Sequence, residues 1–286
     1  MEVDTPILSA TAAADCHIES YCCNGSGWLQ TSPEYAMKRL LASGCGPIYQ
    51  LCHVFRKEES GRHHQPEFTL LEWYRLGIDH LQMMSEVQAL LQVVGAPAHP
   101  YERMTYADAF RRHAGIDPLR ATPQTVRTVL DSAGIEMAST PVASDADDLD
   151  FWLELCMSAL VAPKLGAHAP CFVYDYPASQ AALARVSTDD LPVAQRFELF
   201  WRGLELANGF HELNDAAEQR RRFNADLEMR RARGQVQPPI DEALLAALEY
   251  GLPDCSGVAL GVDRLLMLLL NLPTVAEAQS FDAERA

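Results

Sequence analysis

YQLCHVFRKEESGRHHQPEFTLLEWY, residues 49–74, is the stretch that decides the fold of this chain. Its first eight residues are rich in aromatic and β-branched side chains, its middle carries most of the charge and a glycine, and residues 68–74 alternate with a period of two. These patterns predict two strands joined by a polar loop. The alternation places four side chains on one face of the second strand: Phe68, Leu70, Glu72 and Tyr74.

The face with Glu72 and Tyr74 is predicted to line a pocket. A carboxylate that faces a protein core is costly unless a cation compensates its charge, so a ligand pocket is the better interpretation. The loop between the strands places basic and titratable side chains at the mouth of this pocket: Arg56, Lys57, Arg62, His63 and His64. Such a cluster is typical of a site that binds a polyanion.

Three segments resemble the three sequence motifs of the class II aminoacyl-tRNA synthetases. FRKE (55–58) and HQPEFTLLEWY (64–74) resemble motif 2 in its lysyl form, GVALGVDR (257–264) resembles motif 3, and VDTP (3–6) resembles the end of motif 1. Three motifs in the right order are more specific than any one alone. Within this class, the chain is most similar to the tRNA-independent branch that attaches a lysine-type amino acid to elongation factor P.

Length and composition are those of an ordinary globular protein. A chain of 286 residues is long enough for one large domain, and a net charge of −16 argues against a surface that coats nucleic acid. The eight cysteines include no Cys-x-x-Cys pair, which favours a reducing cytoplasm. No signal peptide is recognised, and the apolar run 258–272 is interrupted by Asp263 and Arg264, so no membrane span is expected.

We predict an α+β fold, with a mainly antiparallel sheet flanked by helices and one catalytic domain over residues 1–286. A helical insertion is expected at about residues 80–168, because the pattern there is typical of amphipathic helices. Six arginines between residues 220 and 233 are typical of a solvated helix face, or alternatively of a surface that docks an acidic macromolecule.

Residues 171–176 and 196–207 are predicted strands, with a turn at Asn208-Gly209. This turn would bring Glu205 and Glu212 together. Paired carboxylates beside a phosphate site are typical ligands of Mg²⁺, and the alternative is a pair of solvated acids.

The resemblance implies that the enzyme forms an adenylate: the carboxylate of an amino acid attacks the α-phosphorus of ATP, and pyrophosphate leaves. It assigns the catalytic role to Arg56 at the α-phosphate and to Arg264, which would hold adenine between its guanidinium and Phe68. Mg²⁺ would be held by Glu205 and Glu212. The full set of ATP-binding residues that it implies is Arg56, Lys57, Glu58, His64, Gln65, Phe68, Glu205, Leu206, Gly261 and Arg264.

The amino-acid site that the resemblance implies is acidic, as a lysine-type side chain requires. From spacing alone, Ser32, Pro33 and Glu34 would form a charge-balanced helix start. The resemblance implies instead that this segment grips the amino acid, together with Tyr74, Glu212 and Ala259. Lysyl-tRNA synthetases have Gly where this chain has Ala259, and Asn where it has Gln65. One methyl group on a pocket floor changes selectivity by about 1 kcal/mol or more. The elongation factor P ligases resemble this chain at Ala259, so the resemblance implies β-lysine rather than α-lysine.

Elongation factor P is the acceptor that the resemblance implies, and no tRNA is expected, because an anticodon-binding domain has no room before Met1. The family forms homodimers through a motif 1 helix, and the sequence from Met1 lacks that helix, so the dimer is left open. Two alternatives stay open as well: a truncated lysyl-tRNA synthetase that charges tRNA, and a non-catalytic paralogue that binds lysine or ATP and regulates a partner.

Overall fold

A computed structural model of the chain describes residues 1–57, 59–135, 147–283 and 285. The strands are β1 (Leu8–Ser9), β2 (Trp28–Leu29), β3 (Ile48–Phe55), β4 (Glu67–Leu76), β5 (Glu102–Thr105), β6 (Cys171–Pro177), β7 (Val193–Trp201), β8 (Leu204–His211) and β9 (Cys255–Gly261). The helices are α1 (Glu34–Ala42), α2 (His80–Val93), α3 (Tyr106–His113), α4 (Pro123–Ser132), α5 (Leu149–Cys156), α6 (Ala216–Ala232), α7 (Glu242–Gly251) and α8 (Val262–Leu269). They belong to two compact units, Met1–Met83 with His211–Ala286, and Met84–Phe210.

The sheet of the first unit has β4 at its centre, antiparallel to both β3 and β9. Glu72 lies opposite Gln50 on β3 and Ala259 on β9, and Tyr74 lies opposite Gly257. Directly opposite residues of an antiparallel pair share a face, so the predicted face of β4 continues onto both neighbours. The two strands predicted within residues 49–74 are confirmed.

Helix α1 begins directly after the Ser32-Pro33 pair. The Ser32 hydroxyl accepts a hydrogen bond from the Glu34 N–H at 3.0 Å, and proline tolerates a helix start because it lacks an N–H. Gly44, with a φ of 89°, follows the last turn in the left-handed conformation that glycine adopts most readily. The helix thereby places Glu34 at its first turn, next to the sheet segment that carries Glu72.

The second unit is also built mainly from antiparallel strands. β7 pairs with β6 and β8 in antiparallel fashion, and β5 pairs with β6 in parallel. Helices α3, α4 and α5 contribute to one buried apolar cluster with β6, whose members include Phe110, Leu130, Trp152, Leu153 and Val173. The α+β fold is confirmed, and the amphipathic pattern correctly predicted the helices of this region.

The predicted turn at Asn208-Gly209 is wrong. The hairpin between β7 and β8 turns at Arg202 and Gly203, whose φ angles of 52° and 77° are those of a tight two-residue hairpin turn. Asn208 and Gly209 lie within β8, opposite Glu198 and Phe197. Glu205 and Glu212 therefore follow one another along the same stretch of chain and do not face each other across a turn.

Among the described residues, we find no helix that combines the length and apolar character needed to cross a membrane.

Candidate active site

Glu72 is the centre of a buried acidic cluster in the first unit. It is 2% exposed, and each of its carboxylate oxygens accepts a hydrogen bond. The Tyr74 hydroxyl donates to Oε1 at 2.6 Å, and the Ser32 hydroxyl donates to Oε2 at 2.7 Å. A carboxylate held by two hydroxyl groups is fixed in orientation but keeps lone pairs for a further donor.

Lys38 links two more carboxylates next to Glu72. Its ammonium nitrogen lies 2.6 Å from Glu34 Oε1, one helical turn earlier on α1, and 2.6 Å from Glu212 Oε2. Lys38 and Glu212 are almost completely buried, whereas Glu34 is 16% exposed. We call the following group the acidic pocket: Ser32, Glu34, Lys38, Glu72, Tyr74 and Glu212, together with Gly257 at its floor.

Burial controls the protonation of the acidic pocket. Burial, and next the charge of Glu34, raise the pKa of Glu72 to about 7, although its two hydroxyl donors act in the opposite direction. Burial also raises the pKa of Glu212, against the attraction of Lys38. Burial would lower the pKa of Lys38, but Glu212 and Glu34 outweigh it and raise that pKa. The raised pKa values show that Lys38 alone does not compensate three buried carboxyl groups, and a cationic ligand would favour their ionised forms.

Gly257 provides the floor of the acidic pocket. A Cβ at this position would lie 2.3 Å from Tyr74 Cε1 and 2.5 Å from Glu212 Oε1. No side chain fits there without displacing one of those two groups. Ala259, the next residue of β9 on the same face, lies opposite Glu72 in the register.

The other end of the same face carries Arg56 and Phe68. The Arg56 guanidinium lies 5.1 Å from the centre of the Phe68 ring, and its Nη1 donates to Glu59 at 3.1 Å. Within the described part of the chain, its buried Nε has no hydrogen-bond partner. A half-satisfied guanidinium next to an aromatic ring suits a ligand with a planar ring and anionic oxygens.

Motif 3 is anchored to this end of the face. Asp263, at the start of α8, accepts a hydrogen bond from the Thr69 N–H at 2.7 Å. Thr69 follows Phe68 on β4, and Asp263 precedes Arg264 on α8. This hydrogen bond therefore joins the segments that carry Phe68 and Arg264. Arg264 Nε donates to the His63 carbonyl at 3.1 Å, which places a second guanidinium beside the motif 2 loop.

The motif 2 loop is held by a C-terminal segment of the chain. Arg62 Nε donates to the Pro273 carbonyl at 2.9 Å, and the Gln65 side-chain oxygen accepts from the Ala283 N–H at 3.2 Å. Desolvation, and next the charge of Arg264, lower the pKa of His64, so this imidazole is neutral at pH 7. Lys57 is exposed, and Glu58 lies outside the described residues.

The two ends of the face are separated by a distance that suits one extended ligand. Phe68 and Glu72 are four residues apart on β4, which corresponds to about 13 Å at the rise of a strand. Between them β9 presents only small residues on this face, namely Gly257, Ala259 and Gly261. We call this strip of the face, where β9 adds little side-chain bulk between a cationic end and an acidic end, the trough.

Two residues of the implied site belong to the second unit. Glu205 and Leu206 belong to β8 of the second unit, where Leu206 is 2% exposed and Glu205 is half-buried. The described residues contain one cluster of three side chains with metal-ligand spacing, Asp15, Cys16 and His17, and it includes neither Glu205 nor Glu212.

The arginines of α6 do not form a free basic surface. Arg220 binds Glu242 through two hydrogen bonds, and Arg221 and Arg222 both bind Glu218. Arg230 is 2% exposed and donates to backbone carbonyls. These ion pairs reduce the positive charge that α6 presents, while Arg231 is exposed and bonds to Gln237, so docking of an acidic macromolecule stays a prediction.

Three members of the acidic pocket were not assigned to the site from the sequence: Lys38, Glu72 and Gly257. Glu72 was recognised as facing a pocket from the alternation of β4, but it was not given a role. Lys38 looked like an ordinary cation in the second half of α1, because nothing in the local sequence indicates that Glu212 packs against that helix. Gly257 lies in the segment that resembles motif 3, but nothing in that segment indicates that Tyr74 and Glu212 pack against it.

Comparisons with known proteins identify one family over almost the whole chain. A family model described as tRNA synthetases class II (D, K and N) matches residues 1–285. The elongation factor P–(R)-β-lysine ligase of Edwardsiella ictaluri is 50% identical over 295 aligned positions, which cover 100% of this chain and 89% of that protein. Proteins of the same name from Salmonella paratyphi B and Salmonella enteritidis are 49% identical with the same coverage.

Proposed function

The chain belongs to the class II tRNA synthetases of the D, K and N type, and we propose that it is an ATP-dependent ligase that activates (R)-β-lysine and transfers it to a lysine of elongation factor P. The observation that carries this proposal is the buried acidic pocket at one end of a trough whose other end holds Arg56 and Phe68. An aminoacyl-adenylate has a matching distribution of groups. Its amines lie at one end and its nucleotide at the other.

The charge of the acidic pocket fits a diamine. Glu34, Glu72 and Glu212 supply three carboxylates and Lys38 supplies one ammonium, which leaves a formal charge of −2 when all four are ionised. β-Lysine brings two ammonium groups, and its own carboxylate loses its charge when it becomes the mixed anhydride. A buried site prefers such a balance, because an uncompensated charge away from water is costly.

The nucleotide end supplies positioning and positive charge. We assign Arg56 to the α-phosphate, where negative charge increases in the transition state, and Arg264 to the adenine on the side opposite Phe68. His64, Gln65 and Gly261 complete this end in our proposal. Preorganised guanidinium groups act without reorganisation at the moment of reaction, which is why they favour the transition state.

Mg²⁺ is the metal that this chemistry uses, and Glu205 and Glu212 each offer the carboxylate oxygens that hard cations prefer, but among the described residues neither belongs to a cluster of metal ligands. When bound, the ion neutralises phosphate charge and orients the leaving pyrophosphate. Glu212 is already paired with Lys38 at 2.6 Å, so we expect Glu205 to be the stronger ligand.

The second step transfers the activated amino acid to a protein. The neutral ε-amine of a lysine on elongation factor P attacks the carbonyl carbon of the adenylate, a new amide bond forms, the C–O bond to phosphate breaks, and AMP leaves with the electron pair. Ala259 opposite Glu72 supports β-lysine over α-lysine, because its methyl group narrows the floor of the trough. All eight cysteines are free, in keeping with our proposal that the reaction takes place in the cytoplasm.

The test is formation of AMP from ATP and Mg²⁺ with each lysine isomer, with elongation factor P or tRNA as acceptor. We expect AMP and modified elongation factor P only with β-lysine. Charging of tRNA with α-lysine would instead support a truncated lysyl-tRNA synthetase. Binding of lysine without any AMP would support a regulatory paralogue. Sedimentation of the same sample tests the homodimer that the family implies.

A further inference from the structure

We propose that Gln50 is a substrate-binding residue: its side-chain oxygen accepts a hydrogen bond from an ammonium group of the lysine-type substrate, next to Glu72. This role rests on the proposed function. Gln50 belongs to none of the residue sets that the sequence motifs imply, and it adds a neutral acceptor to the acidic pocket.

Gln50 lies on the face of the sheet that carries the acidic pocket. In the register of β3 and β4 it is directly opposite Glu72, which is itself opposite Ala259 on β9. Opposite residues have Cβ atoms about 5 Å apart, so the side chains of Gln50 and Glu72 are direct neighbours. Burial, and next the charge of Glu72, raise the pKa of the Cys52 thiol, two residues further along β3. This face of β3 is therefore turned toward the carboxylate.

The Gln50 amide is the most polar group that β3 contributes to this face. The alternation of the strand places four residues there, namely Ile48, Gln50, Cys52 and Val54. Gln50 is 3% exposed, and within the described part of the chain its buried Oε1 has no hydrogen-bond partner. Buried polar atoms are nearly always hydrogen-bonded, so we expect this oxygen to meet a donor from outside the chain.

An ammonium group is the donor that fits this position. The Glu72 oxygens accept hydrogen bonds from Tyr74 and Ser32 but keep lone pairs, and a substrate ammonium has three N–H donors. One N–H is available for Glu72, and a second for Gln50 Oε1 beside it. The amide is neutral, so it adds an acceptor without adding a fourth carboxylate to a buried site that contains one cation, Lys38.

Gln50→Met separates a binding role from a structural role. Methionine has nearly the length of glutamine, but its thioether is only a weak acceptor. Replacement of an unsatisfied buried polar group by an apolar one is close to neutral for stability, so the ligand-free variant should melt no lower than the wild type. If Gln50 instead stabilised the sheet through a buried water, the variant should melt at a lower temperature.

Two analogues of β-lysine identify the ammonium group that Gln50 contacts. ε-Aminocaproate lacks the β-amine, and β-aminocaproate lacks the ε-amine. The analogue without the contacted ammonium should bind the wild type and Gln50→Met equally well, because it leaves Oε1 unsatisfied in either case. β-Lysine and the other analogue should bind the variant less tightly. A structural effect would instead weaken all three ligands by the same factor.

The experiment measures binding of the three ligands, and separately of ATP, by isothermal titration calorimetry at pH 7 without Mg²⁺. Thermal unfolding gives the melting temperature of each ligand-free protein. We expect Gln50→Met to weaken β-lysine binding by about tenfold or more, since one hydrogen bond to a charged group is lost, and to leave ATP affinity unchanged. Gln124→Met, which replaces an exposed glutamine of α4, is the matched control and should change neither affinity.

Two results would overturn the proposal. One is a folded Gln50→Met protein with wild-type affinity for β-lysine. The other is an equal loss for all three ligands, which together with a lower melting temperature would show a structural role. If Gln50→Met does not fold, Gln50→Asn carries the same comparison, because its amide is one methylene shorter and withdraws from the ammonium. Failure of the proposed function would look different, because the wild type would then bind none of the three ligands and form no AMP.

Discussion

At the scale of single residues, the acidic pocket depends on groups that come from distant segments of the chain. Gly257 on β9 has no side chain, and this leaves room for Tyr74 from β4 and Glu212 from the segment after β8. The contact is close on both sides, since a Cβ would come within 2.5 Å of each neighbour. Real Cβ atoms are not found at such distances, so a substitution must displace one of the two groups.

Gly257→Ala should therefore impair the amino-acid site selectively. We expect the KM for β-lysine to rise at least tenfold, because Tyr74 or Glu212 must move, whereas the KM for ATP changes less than threefold. Steady-state AMP formation with each substrate varied in turn measures both.

Gly44→Ala is the control for a loss of stability alone. Gly44 has a φ of 89° and open space around it, so the variant should unfold more easily by about 1 kcal/mol without a change in either KM. A Gly257→Ala enzyme with an unchanged KM for β-lysine would contradict the account of the pocket floor.

The raised pKa of Glu72 predicts how the stabilisation by substrate depends on pH. In the ligand-free protein this carboxyl group titrates near pH 7, and in the unfolded chain it titrates near its ordinary value of about 4.3. Between these values the folded state holds a proton that the unfolded state has lost. The contribution of Glu72 to stability is therefore greatest below pH 4.3 and is lost as the pH rises through 7. A diamine offsets this loss by pairing with the ionised group.

We therefore expect β-lysine to raise the melting temperature more at pH 8 than at pH 6, as measured by thermal unfolding at a fixed, saturating concentration. In Glu72→Gln the difference between the two pH values should shrink, because that position no longer titrates. An equal shift at both pH values in the wild type would rule out this mechanism.

The sequence predicted those residues of the candidate site that lie within recognisable local motifs. Glu34, Arg56, Tyr74 and Arg264 lie in recognisable motifs, and the structure brings Glu34 and Tyr74 into one pocket and Arg56 and Arg264 to one loop. Lys38 and Gly257 belong to the pocket because both lie next to Glu212, which is distant in sequence from both. Pairing across such separations is a property of the fold, and a single sequence does not reveal it.

At the scale of elements, a hydrogen bond between β4 and α8 fixes the segment that carries Arg264. The bond from the Thr69 N–H to Asp263 ties the centre of β4 to the first turn of α8, and Asp263 is 7% exposed. An acidic side chain at a helix N-terminus is also favourable for the helix itself. The same contact therefore stabilises α8 and orients Arg264.

Asp263→Ala should lose both effects. We expect a loss of about 1 to 3 kcal/mol in the free energy of unfolding, because the part-buried Thr69 N–H loses its partner. The KM for ATP should rise because Arg264 follows directly on α8, and the KM for β-lysine should change little. Urea unfolding and initial rates measure these effects. Asp263→Asn keeps an acceptor oxygen, so an equally large loss in that variant would contradict the role of the hydrogen bond.

Arg230 of α6 illustrates how a charged side chain organises a loop. It donates to the carbonyls of Ala14, Asp15 and Ile18 and pairs with Glu19 at 3.0 Å, all within one irregular segment. In sequence it was indistinguishable from its exposed neighbours. A helix pattern with arginine on every face does not indicate which one is buried.

Arg230→Met should destabilise the protein by about 3 to 5 kcal/mol, because Glu19 and several carbonyls lose a buried cationic partner. Arg231→Met is the matched control, since Arg231 is exposed and contacts only Gln237 among its described polar partners, and it should cost less than about 0.5 kcal/mol. Urea unfolding distinguishes the two. Equal stability of both variants would mean that residues 14–19 do not depend on α6.

The hairpin turn shows where prediction of the elements failed. Asn-Gly is the strongest short signal for a two-residue turn, yet Asn208 and Gly209 lie inside β8 and the turn forms at Arg202 and Gly203. The aromatic residues of β7 explain the difference, because Phe197, Phe200 and Trp201 are buried in the chosen register. Packing of three aromatic rings outweighs the preference of one dipeptide.

At the scale of the whole molecule, the positions of a few charged side chains match the charges of the proposed substrates. The chain has a net charge of −16, and Arg220, Arg221 and Arg222 of α6 pair with acidic side chains, which argues against a general polyanion-binding surface. The charges that matter are the few inside the trough, where two guanidiniums and a set of buried carboxylates are placed for a nucleotide and a diamine.

The most direct test of the central claim is amino-acid-dependent AMP formation by the wild-type enzyme, with Arg56→Ala as the control. The account predicts AMP release that requires ATP, Mg²⁺, β-lysine and elongation factor P together, and at least a hundredfold loss in Arg56→Ala, which removes charge at the α-phosphate. A folded wild-type protein that forms no AMP with either lysine isomer, or that forms AMP equally well in Arg56→Ala, would contradict it.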